Sequence, residues 1–429
     1  MLNALGLLKE RRFLPLFATQ FLGAFNDNLF KTTMVLFATY QIFNDAKLEQ
    51  NFNALATGLG ILPFFLLSAL AGQLADTHDK AHIVRIVKTL EIAIMAVGSA
   101  GMMIAKAGQT SIGMALMLSA VLCLGTHSTF FGPIKYAILP QHLEKDEVLG
   151  GTGLIEASTY LAILMGTVVA GWISIEGASI TVMAVALAGC LTGRMVMPAP
   201  RAGPEIVINF NPFTASWRLI SATMHIRRLF LAICAISFFW TIGAVLIITF
   251  PPLVKNVLTA DERVASLMIA IFSVGVAIGS VVINALLSGK VSARYAPGSV
   301  LAMAVLMIVF GLMVRSWPAL PAGHYYSMVE FIQQPRAVGI VLVLIAIAVT
   351  GGMFVVPLYA FLTTTVDKDQ TARTVAANNI VNSGAMVVGA LGVQAFAALG
   401  VTPQNMLFLI AAMCPVSAYL AQKLHLACD

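Results

Sequence analysis

The residues of this sequence that could do chemistry are ionisable side chains set inside apolar runs. The run Phe21-Leu22-Gly23-Ala24-Phe25-Asn26-Asp27-Asn28-Leu29-Phe30-Lys31 places Asp27 near the middle of an apolar stretch. Gln20, Ala24, Asp27 and Lys31 recur at helical spacing, so they share one face and Asp27 is expected to pair with Lys31 along a polar stripe. A second set is His127, Phe131, Lys135 and Tyr136, interrupted by Gly132-Pro133, and a third is Gly153, Glu156 and Tyr160. A charge at membrane depth costs roughly 2.5–3.5 kcal/mol and is kept where it faces a cavity or a partner. Lys135 and Glu156 are therefore expected partners between neighbouring helices. Both pairs read either as parts of a substrate or gating path or as fixed structural ion pairs, and His127 as a satisfied interior histidine.

The second half of the chain differs. A shift of 223 residues maps Tyr136-Ala137 onto Tyr359-Ala360, Gly166 onto Gly389, and Glu144-Lys145-Asp146 onto Asp367-Lys368-Asp369, which suggests an internal duplication. Under that shift Glu156 becomes Asn379, in a polar stripe with Asn378, Asn382 and Ser383, while the seventh apolar run carries Trp240 and Thr241 without a charge. One wall ionic and the other polar but uncharged suits an amphiphile with a zwitterionic or anionic head and an acyl tail. Pro133 removes a backbone donor and predicts a bend beside a water-filled space. Gly351, Gly352 and Pro357 read as a hinge, or as simple close packing.

The elements that must position these groups follow from composition. The chain has 429 residues, 59% hydrophobic and 10% charged, with a mean hydropathy of +0.90. An average soluble protein is about 25% charged, so a soluble globule is excluded. Apolar runs of spanning length lie at about 13–43, 53–75, 83–105, 110–135, 150–173, 178–197, 229–254, 264–288, 297–315, 337–362, 372–399 and 402–422. An all-α membrane protein of twelve transmembrane helices is expected, with a six-helix bundle over 1–197, a cytoplasmic linker over 198–228 and a second bundle over 229–429. The first run is read as a helix that stays, not as a cleaved signal. Most of the 25 Lys and Arg residues fall on the side of the N-terminus, which places both termini in the cytoplasm. The net charge of +6 lies in short loops, so a membrane surface and not nucleic acid is its partner.

Several chemistries are absent from the pattern. No phosphate-cradling Gly-x-x-x-x-Gly-Lys-Ser/Thr loop and no Gly-x-Ser-x-Gly elbow occurs. His78 and His82 stand at i, i+4 without an evident third metal ligand, and the five cysteines read as buried apolar residues, so neither a cofactor nor a metal is expected.

The loop after the second run reads Gly72-Gln73-Leu74-Ala75-Asp76-Thr77-His78-Asp79-Lys80, with Arg85 beyond. It resembles the helix 2–3 loop motif of the major facilitator superfamily. Gly72 would allow close helix approach, and Asp76, with Lys80 and Arg85, would latch a neighbouring helix N-terminus.

More specific are Phe21-Leu22-Gly23-Ala24-Phe25-Asn26-Asp27-Asn28, Gly132-Pro133-Ile134-Lys135-Tyr136-Ala137-Ile138-Leu139, Gly153-Leu154-Ile155-Glu156-Ala157-Ser158-Thr159 and Gly351-Gly352-Met353-Phe354-Val355-Val356-Pro357-Leu358. Along nearly its whole length the chain resembles the bacterial lysophospholipid transporters of that superfamily, including the transporter portion of acyltransferase fusions. The resemblance implies flippase-like movement of lysophosphatidylethanolamine or lysophosphatidylglycerol across the inner membrane to the cytoplasmic leaflet for reacylation by an acyltransferase, through two bundles that expose a central site in turn. It implies cavity and gating roles for Asp27, Lys135 and Glu156. One departure is Ile247, where some members carry an arginine. A proton-coupled exporter of drugs or other small amphiphiles, a carrier of larger lipids and a non-transporting partner of an acyltransferase remain alternatives.

Overall fold

The structure, a computed structural model, describes residues 6–144, 147–201, 208–287, 292–321, 323–364 and 371–428. The side chain of Glu156 and the segments 145–146 and 367–369 lie outside the described residues. The secondary structure is helical, with one isolated bridge between Ala260 and Tyr326 among the described residues.

The long helices are α1 Leu14–Phe37, α2 Ala46–Thr77, α3 Lys80–Lys106, α4 Thr110–Ala137, α5 Val148–Ala170, α6 Ile175–Arg194, α7 Arg227–Asn256, α8 Glu262–Leu286, α9 Ala296–Arg315, α10 Pro335–Thr364, α11 Thr371–Ala398 and α12 Pro403–Cys428. Each coincides with one of the apolar runs. Among the described residues nine of them are long and apolar enough to cross a membrane. Of the other three, α1 carries Asp27 and Lys31, α3 carries Lys80, Arg85, Lys88, Glu91 and Lys106, and α5 is described as an apolar helix over Ala157–Ala170. The chain is a multi-pass membrane protein.

Capping explains several of the starts. Asp79 caps α3, Ser174 accepts from the Gly177 N–H at the start of α6, and Asp261 accepts from the Val264 N–H at the start of α8. A short helix, Met328–Gln333, opens with a Ser327–Glu330 capping box.

The chain forms two compact units. One comprises Met1–Phe37 and Leu62–Ala215, the other Ala38–Ile61 and Ser216–Asp429. Within the first, α1 packs on α5 and α6, and α3 on α4 and α6; within the second, α7 packs on α11 and α12, and α9 on α10 and α12. The same pairings thus recur at a spacing of six helices, as the 223-residue repeat suggests. Gly166 and Gly389 repeat the relation in detail. A Cβ at Gly166 of α5 would lie 2.6 Å from the Phe25 carbonyl of α1, and a Cβ at Gly389 of α11 would lie 2.6 Å from Thr241 Cγ2 of α7. In lipid, where apolar burial does little to drive association, such backbone-close crossings supply dispersion contacts that larger side chains would block.

Residues 38–61 join the second unit through α7. Lys255, 4% exposed, donates from Nζ to the Thr39 carbonyl, the Phe43 carbonyl and Glu49 Oε1, each at 2.6 Å. All three ammonium protons therefore have acceptors, and Asn256 Nδ2 donates to the other Glu49 oxygen.

Candidate functional site

Asp27 sits on α1 beside the Gly166 crossing. Its Oδ2 accepts from the Ser128 hydroxyl of α4 at 2.6 Å, and its Oδ1 is buried with no hydrogen-bond partner among the described residues. No ion pair joins Asp27 to Lys31 among the described residues, so the expected pairing along α1 is replaced by a contact to α4. The physical reason is reach: a hydroxyl across the α1·α4 contact meets the short carboxylate directly. Lys31 is half-buried.

Lys135 is half-buried near the end of α4, with Nζ 4.8 Å from the ring centroid of Tyr136. Tyr136 packs against the apolar cluster formed by Phe13, Leu16, Val84, Ile134, Ile138 and Ile155. Tyr160 is 64% exposed on α5. The expected partnership of Lys135 with Glu156 falls on a side chain outside the described residues. Pro133 lies inside α4 without ending it, since the helix runs on to Ala137.

The same unit contains a buried charged cluster that the sequence reading passed over. Glu91 of α3 is 1% exposed. Its Oε2 is 2.7 Å from Lys88 Nζ and 3.3 Å from His127 Nε2, and its Oε1 accepts from Asn26 Nδ2 at 2.9 Å. Lys88 Nζ also lies 5.0 Å from the centroid of the Phe131 ring, and a Cβ at Gly23 would collide with it. The glycine on α1 leaves room for this ammonium. The signal in the sequence was that Lys88 and Glu91 share the α3 face of Val84, Val87 and Met95, which is buried.

In the second unit, Trp240 Nε1 donates to Tyr359 Oη at 2.7 Å, Asn382 Nδ2 donates to the same oxygen at 3.4 Å, and Ser237 donates to Asn382 Oδ1 at 2.7 Å. This is an uncharged network, as the repeat predicts. Its amide is Asn382; Asn379 is exposed, and Asn378 is the fully buried member of the stripe. Ile247 is exposed on α7.

The loop motif is realised three residues later than expected. Asp76 is exposed and makes no side-chain hydrogen bond among the described residues. Asp79 Oδ1 instead accepts from the N–H groups of Ala81 at 2.9 Å, His82 at 3.4 Å and Ala199 at 3.1 Å. The Lys80 N–H donates to the Ala199 carbonyl at 3.0 Å, and Arg85 donates to the Val196 carbonyl at 3.1 Å. One carboxylate thus caps α3 and clamps the segment after α6. Partial burial works against its charge, yet the N–H groups of Ala199, Ala81 and His82 outweigh that and hold the Asp79 carboxyl below its ordinary range. A Cβ at Gly72 would meet nothing within 4 Å, so no close approach is made there.

Gly351 and Gly352 lie within an unbroken α10 that also contains Pro357. A Cβ at Gly352 would strike the Val276 carbonyl of α8, and one at Gly351 would lie 3.0 Å from Phe239. Their geometry is that of a close crossing.

Among the described residues the long apolar helices, with ion pairs buried inside each unit, are those of a multi-pass membrane protein, and residues 16–390 match the Major Facilitator Superfamily. The chain belongs to that superfamily. It is 25% identical over 383 residues to the lysophospholipid transporter LplT of Cronobacter sakazakii, covering 88% of this chain and 85% of that protein. With LplT of Salmonella typhimurium it shares 26% identity over 414 residues, 90% of this chain and 88% of that one. Among solved structures, it resembles a bacterial homologue of the human lysosomal transporter Spinster (TM-score 0.66, 14% identity, 97% and 93% of the two chains). A POT family transporter bound to 5-aminolevulinic acid gives a TM-score of 0.70 at 11% identity over 97% and 96%. These two show the fold.

Proposed function

We propose that the protein is a lysophospholipid transporter that moves lysophosphatidylethanolamine or lysophosphatidylglycerol across the bacterial inner membrane to the cytoplasmic leaflet, where an acyltransferase restores the second chain. The observation that carries this reading is the similarity to LplT over about nine-tenths of both chains, joined to the division of polarity between the units. The first unit presents the Asp27 carboxylate, with one oxygen held by Ser128 and the other unpaired. That is an acceptor for a head-group ammonium. The second unit presents the uncharged Trp240, Tyr359 and Asn382 network among apolar side chains, which accepts glycerol hydroxyls and an acyl chain without offering a competing charge.

Transport proceeds by alternating exposure of the site, with both termini cytoplasmic. Asp27, Lys31, Lys135, Tyr136, Glu156, Tyr160, Trp240 and Asn379 line the path in this proposal, and Asp79, Lys80 and Arg85 form the cytoplasmic latch. The test is uptake of radiolabelled lysophosphatidylethanolamine by proteoliposomes. Saturable uptake that Asp27→Ala removes supports the reading; no uptake with correctly inserted protein contradicts it.

A further inference from the structure

The start of α3 and the end of α6 frame an open cavity of about 630 Å³, lined by His82, Arg85, Ile86, Thr89 and Leu90 of α3 and Arg194 of α6. The geometry points to this cavity as a binding site for an anionic phospholipid of the surrounding leaflet, a lipid that is retained and not transported. The inference is independent of the reading of Asp27.

The polar end of the cavity holds two arginines and a histidine and no carboxylate. Arg85 donates from one terminal nitrogen to the Val196 carbonyl at 3.1 Å, and no acceptor meets the other among the described residues. Arg194, the last residue of α6, is exposed and has no acidic partner among the described residues. Two carboxylates stand nearby. Asp79, just before α3, offsets the charge of Arg85, and its Oδ1 is taken by three N–H groups. Glu91 is turned to Lys88 on the buried face of α3. Arg194 is thus the uncompensated charge of the cavity, and guanidinium donors at two corners suit the oxygens of a phosphodiester.

The rest of the lining is apolar and continues along both helices. Ile86 and Leu90 are exposed on the face of α3 that carries His82, at steps of four residues. Leu187 and Leu191 are exposed on α6 and lead along one face to Arg194. Thr89 Oγ1 lies 3.7 Å from Cys190 Sγ, which sets the two rows beside one another. In a multi-pass membrane protein such rows meet acyl chains, while cations at the helix ends reach the head-group level.

The two parts of the cavity therefore match the two parts of one phospholipid. A free phosphate would leave the apolar rows unused. A zwitterionic lipid would bring an ammonium to a lining that has no carboxylate to receive it, so a head group of net negative charge is favoured.

The experiment uses purified full-length protein in mixed micelles of a zwitterionic detergent with increasing radiolabelled phosphatidylglycerol, and counts the lipid retained on the protein after gel filtration. Saturable retention is expected, with far less of phosphatidylcholine. Arg194→Gln is expected to weaken it by about fivefold, Arg194→Lys to recover most of that loss, and Arg228→Gln, at an exposed arginine of α7, to leave it unchanged. Excess glycerol 3-phosphate or lysophosphatidylethanolamine should not displace the lipid. Equal retention of the two phospholipids, no loss in Arg194→Gln, or the same loss in Arg228→Gln would overturn the inference. Displacement by glycerol 3-phosphate would overturn it in favour of a free-phosphate site, and displacement by lysophosphatidylethanolamine in favour of the transport path. Lysolipid uptake is not read, so each of these outcomes leaves the transport reading to its own test.

Discussion

The Ser128 hydroxyl donates to Asp27 Oδ2 at 2.6 Å, joining α4 to α1 at a carboxylate whose other oxygen has no hydrogen-bond partner among the described residues. A hydrogen bond to a charged acceptor is worth about 1.5–3 kcal/mol when buried and less when partly solvated. Ser128→Ala is therefore expected to lower the rate of lysophosphatidylethanolamine uptake by about 3–10-fold, whereas Ser128→Thr, which keeps the hydroxyl, retains most of it. Equal uptake by all three would show that this bond does not position Asp27.

Removing Glu91 exposes the cost of the buried cluster. Lys88 has no other carboxylate within ion-pair distance among the described residues, and breaking one side of a buried pair typically costs about 3–5 kcal/mol. Glu91→Ala is expected to lower the thermal unfolding midpoint of detergent-solubilised protein by on the order of 10 °C. Lys88→Met combined with Glu91→Leu, which removes both charges, should recover most of the loss. A double variant no more stable than Glu91→Ala would count against the ion pair as the cause.

Asp79 and Asp76 make an internal control. Losing the helix cap and the Ala199 contact should cost about 1–2 kcal/mol in Asp79→Ala, while Asp76→Ala stays within about 0.5 kcal/mol. The Asp79 carboxyl is held below its ordinary range in the folded protein. Its contribution is thus complete above the unfolded carboxylate value near 4 and fades as pH falls through the lower folded value. Unfolding midpoints measured from pH 7 downward should fall more steeply in the wild type than in Asp79→Asn. Parallel curves would remove Asp79 as the titrating latch.

Close crossings predict an opposite pair of outcomes at two glycines. Gly352→Val drives a branched side chain into the α8 backbone at Val276 and should abolish accumulation of folded protein, while Gly72→Ala, facing open space, should be neutral. Size-exclusion profiles of the two variants check this directly.

The helices were legible because twelve apolar runs leave little choice of fold, and the repeat was legible at Gly166 and Gly389. Two features were not. Lys88 and Glu91 stand in the N-terminal half of α3, which is rich in charges, and only their shared face with Val84 and Met95 marks them as interior. Asp76 and Asp79 both suit a latch by type. What separates them is that Asp79 directly precedes the first helical residue, Lys80, the position from which a side chain can cap. The pairing of Asp27 with Lys31 follows from spacing along one helix, but Ser128 comes from a segment a hundred residues away, and no local pattern announces it.

The most direct test of the central claim is the initial rate of radiolabelled lysophosphatidylethanolamine uptake into proteoliposomes, comparing wild type with Asp27→Asn at equal reconstituted protein. The account predicts saturable wild-type uptake and a loss to the background of empty liposomes in the variant, whose amide keeps the Ser128 contact but offers no charge to the head group. Equal rates in the two would contradict it.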